Sequence, residues 1–267
     1  MGILLMIAYD GTDYCGWQYQ ENGVSVFEVL EKAIERVVDD HPADHPAPAG
    51  HPSTGGEFSL MGASRTDAGV HALGQKAHLI LEGSLKESFK VPLEKLPQVL
   101  NSVLPKDIAV TAACEVPDDF HPIWDAKSKT YLYRIYNQRH RNPLLWRYSA
   151  FVPDSFDVRA MQQACAYFVG EHDFAAFCAA GGSAKTSVRE IYSLSVDSVS
   201  GNDVIEITVS GNGFLYNMVR IIAGTLVFVG LGKIKPDEIP EIILSRDRTK
   251  AGKTMPAKGL TLLEVCY

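Results

Sequence analysis

Residues 64 to 75 read "SRTDAGVHALGQ": a cation, a hydroxyl, a carboxylate and a glycine in close succession, then a histidine two residues on. Ala68-Gly69 lets the backbone turn sharply after Asp67. The carboxylate then projects from a loop, and loops on rigid scaffolds are where chemistry usually sits. Arg65, two residues away, can pair with Asp67 or with a phosphate. An arginine partner keeps a carboxylate ionised even in a dry cleft. An ionised, positioned aspartate is a candidate nucleophile or general base. The plainer alternative is an aspartate turn held by a salt bridge, since buried ion-pair networks look the same locally.

Other reactive patterns are broken. "AGKT" (251–254) ends like a phosphate-binding loop, but Asp247 stands where its first glycine belongs and no strand precedes it. "GLGKI" (230–234) lacks both the leading glycine and the Ser/Thr. His41, His45 and His51 lie in the Pro/Gly-rich stretch 41–57 with no cysteine or ordered carboxylate nearby. A solvated loop fits them better than a zinc site, which needs a fixed tetrahedral set. No G-x-S-x-G elbow is present. The five cysteines (15, 114, 165, 178 and 266) are odd in number and form no C-x-x-C pair, so they read as reduced thiols. No metal and no nucleotide cofactor is expected.

The elements that must position Asp67 follow from periodicity. "ILLMIAY" (3–9) is a short strand stopped by Asp10-Gly11. Ser25 and Glu28 form a capping box, and Val29, Leu30, Ala33, Ile34, Val37 and Val38 then recur at helical spacing. Strands are expected at 58–63 and 75–82, joined by the quoted turn, then a helix at 92–104 and a strand at 107–116. The second half repeats the order: a strand at 130–137, a helix at 157–170 stopped by Gly170, and strands at 188–199 and 203–211 around the hairpin signal Gly201-Asn202. A largely buried helix at 214–230, a short one at 236–246 and a strand at 260–267 complete it. The expected class is α+β, with two tandem ferredoxin-like or RNA-recognition-like β-α-β-β-α-β halves, residues 1–117 and 118–267, each an antiparallel sheet backed by helices. The uncovered face of such a sheet binds RNA in RNA-recognition folds.

The chain has 267 residues, 46% of them hydrophobic, ample for a sizeable core. The short apolar start lacks the basic flank of a signal peptide, and the longest uncharged apolar run, Ile221 to Leu231, is too short to span a bilayer. A cytoplasmic protein with no membrane partner is the expectation. The net charge of −7 argues mildly against nucleic acid. Charge is uneven, however. Lys127, Lys129, Arg134, Arg139, Arg141 and Arg147 crowd one segment with no acidic residue, and Arg246, Arg248, Lys250, Lys253 and Lys258 crowd another against Asp247 alone. These segments are either a polyanion footprint or two solvated loops.

"RTDAGVHA" resembles the signature turn of the tRNA pseudouridine synthase A family. The blocks "AYDGTDYCGWQ" (8–18), "VPDDFHP" (116–122), "AKSKTYLYRIYN" (126–137), "GEHDFAAF" (170–177), "GNGFLYNMVRIIAGTL" (211–226) and "AKGLTLLEVCY" (257–267) are similar to later or flanking family blocks, in family order. Two positions depart: Phe27 stands where a glutamine is frequent, and Ile123 where an arginine is common.

The resemblance implies a fold with a catalytic cleft between the halves. It implies isomerisation of uridine to pseudouridine in the tRNA anticodon stem-loop, at tRNA positions 38, 39 and 40, without any cofactor. It makes Asp67 the catalytic aspartate and gives Arg65 the tasks of keeping it ionised and opening the stem. Tyr131 is implied to stack on the uracil and help remove the C5 proton, and Leu262 to pack on the base, while Arg220, a cation inside an apolar helix, calls for a carboxylate, with Asp67 the obvious candidate. Lys127, Lys129, Arg134 and Arg139 become expected RNA contacts, and the expected assembly is a homodimer. A non-catalytic RNA-binding module on the same scaffold would explain the basic segments but gives no reason for Asp67.

Overall fold

A computed structural model describes residues 1–38, 58–182, 184–199 and 203–267. The chain forms two compact units, Met1–Ala126 together with Tyr267, and Lys127–Cys266. The stretch 41–57 and the hairpin signal Gly201-Asn202 lie outside the described residues.

Unit 1 runs β1 (Gly2–Tyr9), α1 (Val26–Val38), β2 (Phe58–Gly62), β3 (His71–Leu81), α2 (Gly83–Ser88), α3 (Leu96–Asn101) and β4 (Ile108–Val116). Its sheet is antiparallel in the order β4-β1-β3-β2. Alternation in β1 buries Ile3, Leu5, Ile7 and Tyr9 on one face. Their register partners on β3 include Leu79, Ala77 and Gln75. Ser25 caps α1 by accepting the Glu28 N–H at 3.1 Å, while the Glu28 carboxylate pairs forward with Lys32 at 2.7 Å. The helix expected over 92–104 is confined to Leu96–Asn101, with Pro97 in its first turn, the one part of a helix that tolerates a missing N–H. Asn101 fastens α3 to the sheet, donating to Val110 O at 2.9 Å and accepting from Val110 N at 2.8 Å. After β4, residues 117–126 stay with unit 1. Phe120 packs edge-on to His78 and Tyr267, and the Tyr267 hydroxyl donates to Pro122 O at 2.9 Å.

Unit 2 runs β5 (Ser128–Tyr136), β6 (Ala150–Phe151), α4 (Val158–Cys165), β7 (Gly170–Asp173), β8 (Val188–Val199), β9 (Val204–Gly211), α5 (Met218–Gly230), α6 (Ile239–Ser245) and β10 (Leu260–Cys266). Its strand order is β10-β5-β9-β8-β7, antiparallel throughout, with the short β6 parallel to the end of β5. The expected helix at 157–170 ends at Cys165 and passes into a 3₁₀ turn. Gly170, at φ +105°, therefore opens β7 instead of stopping a helix. Segment 251–255 lies directly on α5. A Cβ on Gly224 would fall 1.8 Å from Lys253 O, and the Thr225 hydroxyl accepts Gly252 N–H at 2.8 Å. Only glycine permits that approach.

Candidate active site

The Asp67 turn is built from its neighbours on β1 and the loop that follows. The Val70 N–H donates to Asp67 O at 3.1 Å, closing a turn whose third residue, Gly69, sits at φ +76°. A type II turn needs that conformation at this place. A second strand of chain backs the turn: Trp17 N donates to Thr66 O at 3.0 Å, and Gly16 makes an isolated antiparallel bridge with Asp67. Gly16 itself is at φ +112°, and a Cβ there would meet Thr66 O at 2.6 Å. The same short strand continues into α1, with Val26 N on Gly16 O at 3.1 Å and Phe27 N on Trp17 O at 3.0 Å.

Side chains lock this frame from behind. Buried Thr66 shares a 2.7 Å hydrogen bond with the Tyr9 hydroxyl. Gln75, fully buried, donates to Ser64 O at 2.6 Å. His71 Nδ1 accepts the Gly11 N–H at 3.1 Å and lies 3.1 Å from Asp10 Oδ1. Trp17 is 1% exposed, stacked on Tyr9 and edge-on to Phe27, both at 6.0 Å. Phe27, one of the two departures from the family pattern, is thereby absorbed into the core. Tyr14 anchors the loop by donating to Asp107 Oδ1 at 2.8 Å; burial, then that bond, raises its phenol above the ordinary value. Asp67 is half-buried and Arg65 and Ala68 are exposed, on a turn in which Ser64, Thr66 and Val70 are buried. The result is a carboxylate held by fixed backbone, with its preceding side chain tied inward.

Unit 2 brings two of the expected residues together. Tyr131 on β5 is the register partner of Leu262 on β10, so their side chains share one face of the sheet. Both are buried, and the Tyr131 ring meets Phe214 edge-on at 5.2 Å. Arg220 is half-buried on α5, two residues after Met218 opens that helix. Its Nε donates to Met255 O at 2.7 Å and its Nη1 to Asn217 Oδ1 at 2.5 Å. Asn217 adopts a left-handed backbone (φ 61°), which turns its side chain onto the arginine. Tyr133 donates to Pro256 O at 2.8 Å, and burial raises its phenol.

The expected RNA-contacting cations divide. Lys127 and Arg139 are exposed and Lys129 is half-buried. Arg134 Nε is bonded to Glu206 Oε1 at 2.8 Å across the strand pair, so part of its charge is already answered. Among the described residues no group of His, Cys, Asp and Glu could hold a metal, and no helix is long and apolar enough to cross a membrane. Sequence reasoning missed Tyr9, Thr66, His71 and Gly16 as supports of the turn. The two glycines at 11 and 16, with Tyr14 between them and Trp17 after, were the available signal.

A mixed α+β chain that fixes one carboxylate on a rigid turn suits an enzyme that uses an aspartate for covalent or acid–base chemistry. A family model described as "tRNA pseudouridine synthase" matches residues 5–125 and 164–267. The chain belongs to that family. It is similar, over 265 residues covering 99% of both chains, to "tRNA pseudouridine synthase A" of Caldicellulosiruptor bescii at 48% identity and to that of Thermoanaerobacter sp. (strain X514) at 46%. The relative of the same name in Geotalea uraniireducens is 44% identical over the same share of each chain.

Proposed function

We infer that this chain isomerises uridine to pseudouridine in tRNA, in the anticodon stem-loop at positions 38, 39 and 40, with Asp67 as the reacting carboxylate. Family membership supports the reaction class, and the rigid turn around Asp67 is the observation that carries the residue. The bond from uracil N1 to ribose C1′ breaks, the base turns, and C5 bonds to C1′. N1 gains a proton and C5 loses one, so composition and oxidation state are unchanged and no cofactor is required. Asp67 either attacks the nucleotide or triggers elimination at the sugar; both need it ionised and held still. A uridine in a paired stem must first leave its stack, at about a few kcal/mol. Arg65, exposed beside the carboxylate in sequence, is suited to entering the stem as the base leaves.

Tyr131 and Leu262 are assigned to the uracil, a reading that their shared register supports. Arg220, steered by Asn217 and Met255, is assigned to a carboxylate or phosphate. Lys127, Lys129 and Arg139 are assigned to phosphates, with Arg134 a weaker contributor. The strand order β4-β1-β3-β2 in unit 1, and β10-β5-β9-β8 within unit 2, supports reading each as a ferredoxin-like half. The resemblance to the family extends the proposal to a cytoplasmic homodimer.

The test pairs tritium release from C5-labelled tRNA with a binding titration for Asp67→Ala and Asp67→Asn, after matching melting curves. Turnover should fall below detection while binding survives, because phosphate contacts are spread over many residues. Removing a carboxylate that faces a polyanion should leave affinity equal or tighter. Ordinary turnover in Asp67→Ala would sink the mechanism. Wild type that binds tRNA but never forms pseudouridine would point to the non-catalytic RNA-binding module.

A further inference from the structure

Residues 139–148 leave β5 and return to β6 as a well-bonded turn. Leu144 N donates to Asn142 Oδ1 at 2.9 Å, Tyr148 N to Leu145 O at 3.2 Å, and the Ser149 hydroxyl to Leu145 O at 2.7 Å. This turn holds Leu144 86% and Trp146 54% exposed. A fixed backbone that presents large apolar side chains to water forgoes their burial, so the surface calls for an occupant. Cations sit on the same surface. Lys258 Nζ lies 3.0 Å from the centroid of the Trp146 ring, and the Arg141 guanidinium lies 5.9 Å over Phe151. Burial, then the charge of Arg141, lowers the Lys258 ammonium from the ordinary lysine value, so the two cations feel one another.

We propose that Arg141, Trp146 and Lys258 form an RNA subsite, in which the two cations bind a phosphate and the exposed indole stacks on an adjoining unpaired base. This rests on the tRNA reading above and gives part of that binding an address. Charge chooses the occupant. From Lys127 to Pro153 the chain has six Lys or Arg and no acidic residue, and mutual repulsion between Arg141 and Lys258 becomes attraction once an anion lies between them. A second copy of this chain is the poorer fit, since a two-fold contact would set these cations against themselves. The location also suits a substrate strand. Lys258 precedes Leu260, the partner of Tyr133, and lies roughly 10 Å along the chain from the Tyr131–Leu262 pair, at about 3.3 Å per strand residue and 2 Å per 3₁₀ residue. The subsite would therefore hold nucleotides close to the uridine that reacts.

The experiment uses the full chain carrying Trp124→Phe, which leaves buried Trp17 and Trp146 as the indoles. An unmodified tRNA transcript is titrated at several salt concentrations, with fluorescence and affinity both read. Saturable quenching is expected, and it should vanish when Trp146→Phe is added while most of the affinity remains. Trp146→Ala should weaken binding about tenfold with little change in salt slope, as loss of one stacked base does. Arg141→Gln with Lys258→Gln should reduce the slope of log affinity against log salt by about one to two. Melting curves and sedimentation accompany each variant. Unchanged quenching and affinity in the Trp146 variants would overturn the subsite. So would a Trp146→Ala protein that loses self-association yet binds tRNA as before. If the parent forms pseudouridine while these variants bind normally, the subsite alone falls. A parent that neither binds tRNA nor forms pseudouridine takes the functional reading down as well.

Discussion

Replacing Gly16 with alanine should displace Asp67 without altering it. Gly16 sits at φ +112°, and an added Cβ would lie 2.6 Å from Thr66 O, 3.1 Å from Ala68 N and 3.1 Å from Asp67 C. Ordinary Cβ contact begins near 3.4 Å, so the turn must retreat by about 0.8 Å. The obstacle is backbone on every side, so no side chain can swing away. Holding a non-glycine residue at this φ costs about 1–3 kcal/mol more. A displacement near 1 Å at a reacting group costs about 10²-fold in rate, or roughly 2.7 kcal/mol of barrier. The expected variant is folded at 25 °C, melts about 4–8 °C lower, and releases tritium from saturating C5-labelled tRNA about a hundredfold more slowly.

Gly2→Ala is the control. Its Cβ would lie 2.7 Å from Val116 O and 2.7 Å from His78 Nε2, at the far end of β1 from the turn. It should lose stability to a similar degree and keep turnover within about twofold, since a clash some seven strand residues away need not move Asp67. Wild-type turnover in Gly16→Ala would refute the claim that this bridge sets the position of the carboxylate. Equal loss of turnover in both variants would assign the effect to stability alone.

Tyr9→Phe and Thr66→Val each strand one buried hydroxyl, so each should cost about 1–3 kcal/mol by denaturant unfolding; the double variant should cost less than the two combined, and strict additivity would show that the 2.7 Å bond carries no coupling. Burial holds the His78 imidazole below its ordinary 6.5, so the unfolded chain takes up this proton more readily. Its contribution to stability is full above pH 6.5 and is lost as pH falls from there through the lower folded value. The melting temperature should decline over that range, and His78→Leu should flatten the decline; an identical pH profile in the variant would remove His78 from the account. Arg139→Ala should lower the salt slope of tRNA binding by about one, whereas Arg134→Ala should change it less, because Glu206 already opposes that charge; equal effects would mean that the Arg134–Glu206 pair opens on RNA.

Much of this architecture can be read from the chain because its signals are local. β1, α1, β4, β5, β8, β9 and β10 lie within two residues of where alternation or helical spacing sets them. The departures have local causes too. Pro97 delays α3 to Leu96, and α4 tightens into a 3₁₀ turn before Gly170, which frees that glycine to open β7. β6 is two residues long and α2 is a polar six-residue turn of helix, so neither carries a periodic signal. The turn proposed to react is itself legible in Asp67-Ala68-Gly69. Its supports are not, because they join residues far apart in the chain. The Tyr9–Thr66 and Gly11–His71 bonds span 57 and 60 positions, and nothing in the local composition of either segment names its partner. The Arg134–Glu206 pair is hidden for the same reason: a cation in a basic stretch reads as free until the register of β5 on β9 is known.

A net charge of −7 counts against a polyanionic substrate only if the charge is evenly spread. It is divided by unit. Residues 127–266 carry 17 Lys and Arg against 13 Asp and Glu, a net +4, and the remainder carries 8 against 19, a net −11. In physiological salt a charge is felt over about 8 Å, so an approaching RNA responds to the surface it is near and not to the total. By composition, phosphates are better answered on unit 2 than on the unit that bears Asp67. For a reaction at the glycosidic bond that division is useful. A carboxylate among cations would compete with phosphate for them and be screened by them. On the proposed reading, a carboxylate on an acidic unit instead meets less competition from the backbone of the RNA. The part of the nucleotide that approaches it at least electrostatic cost is the uncharged base with its ribose, the part whose N1–C1′ bond has to break.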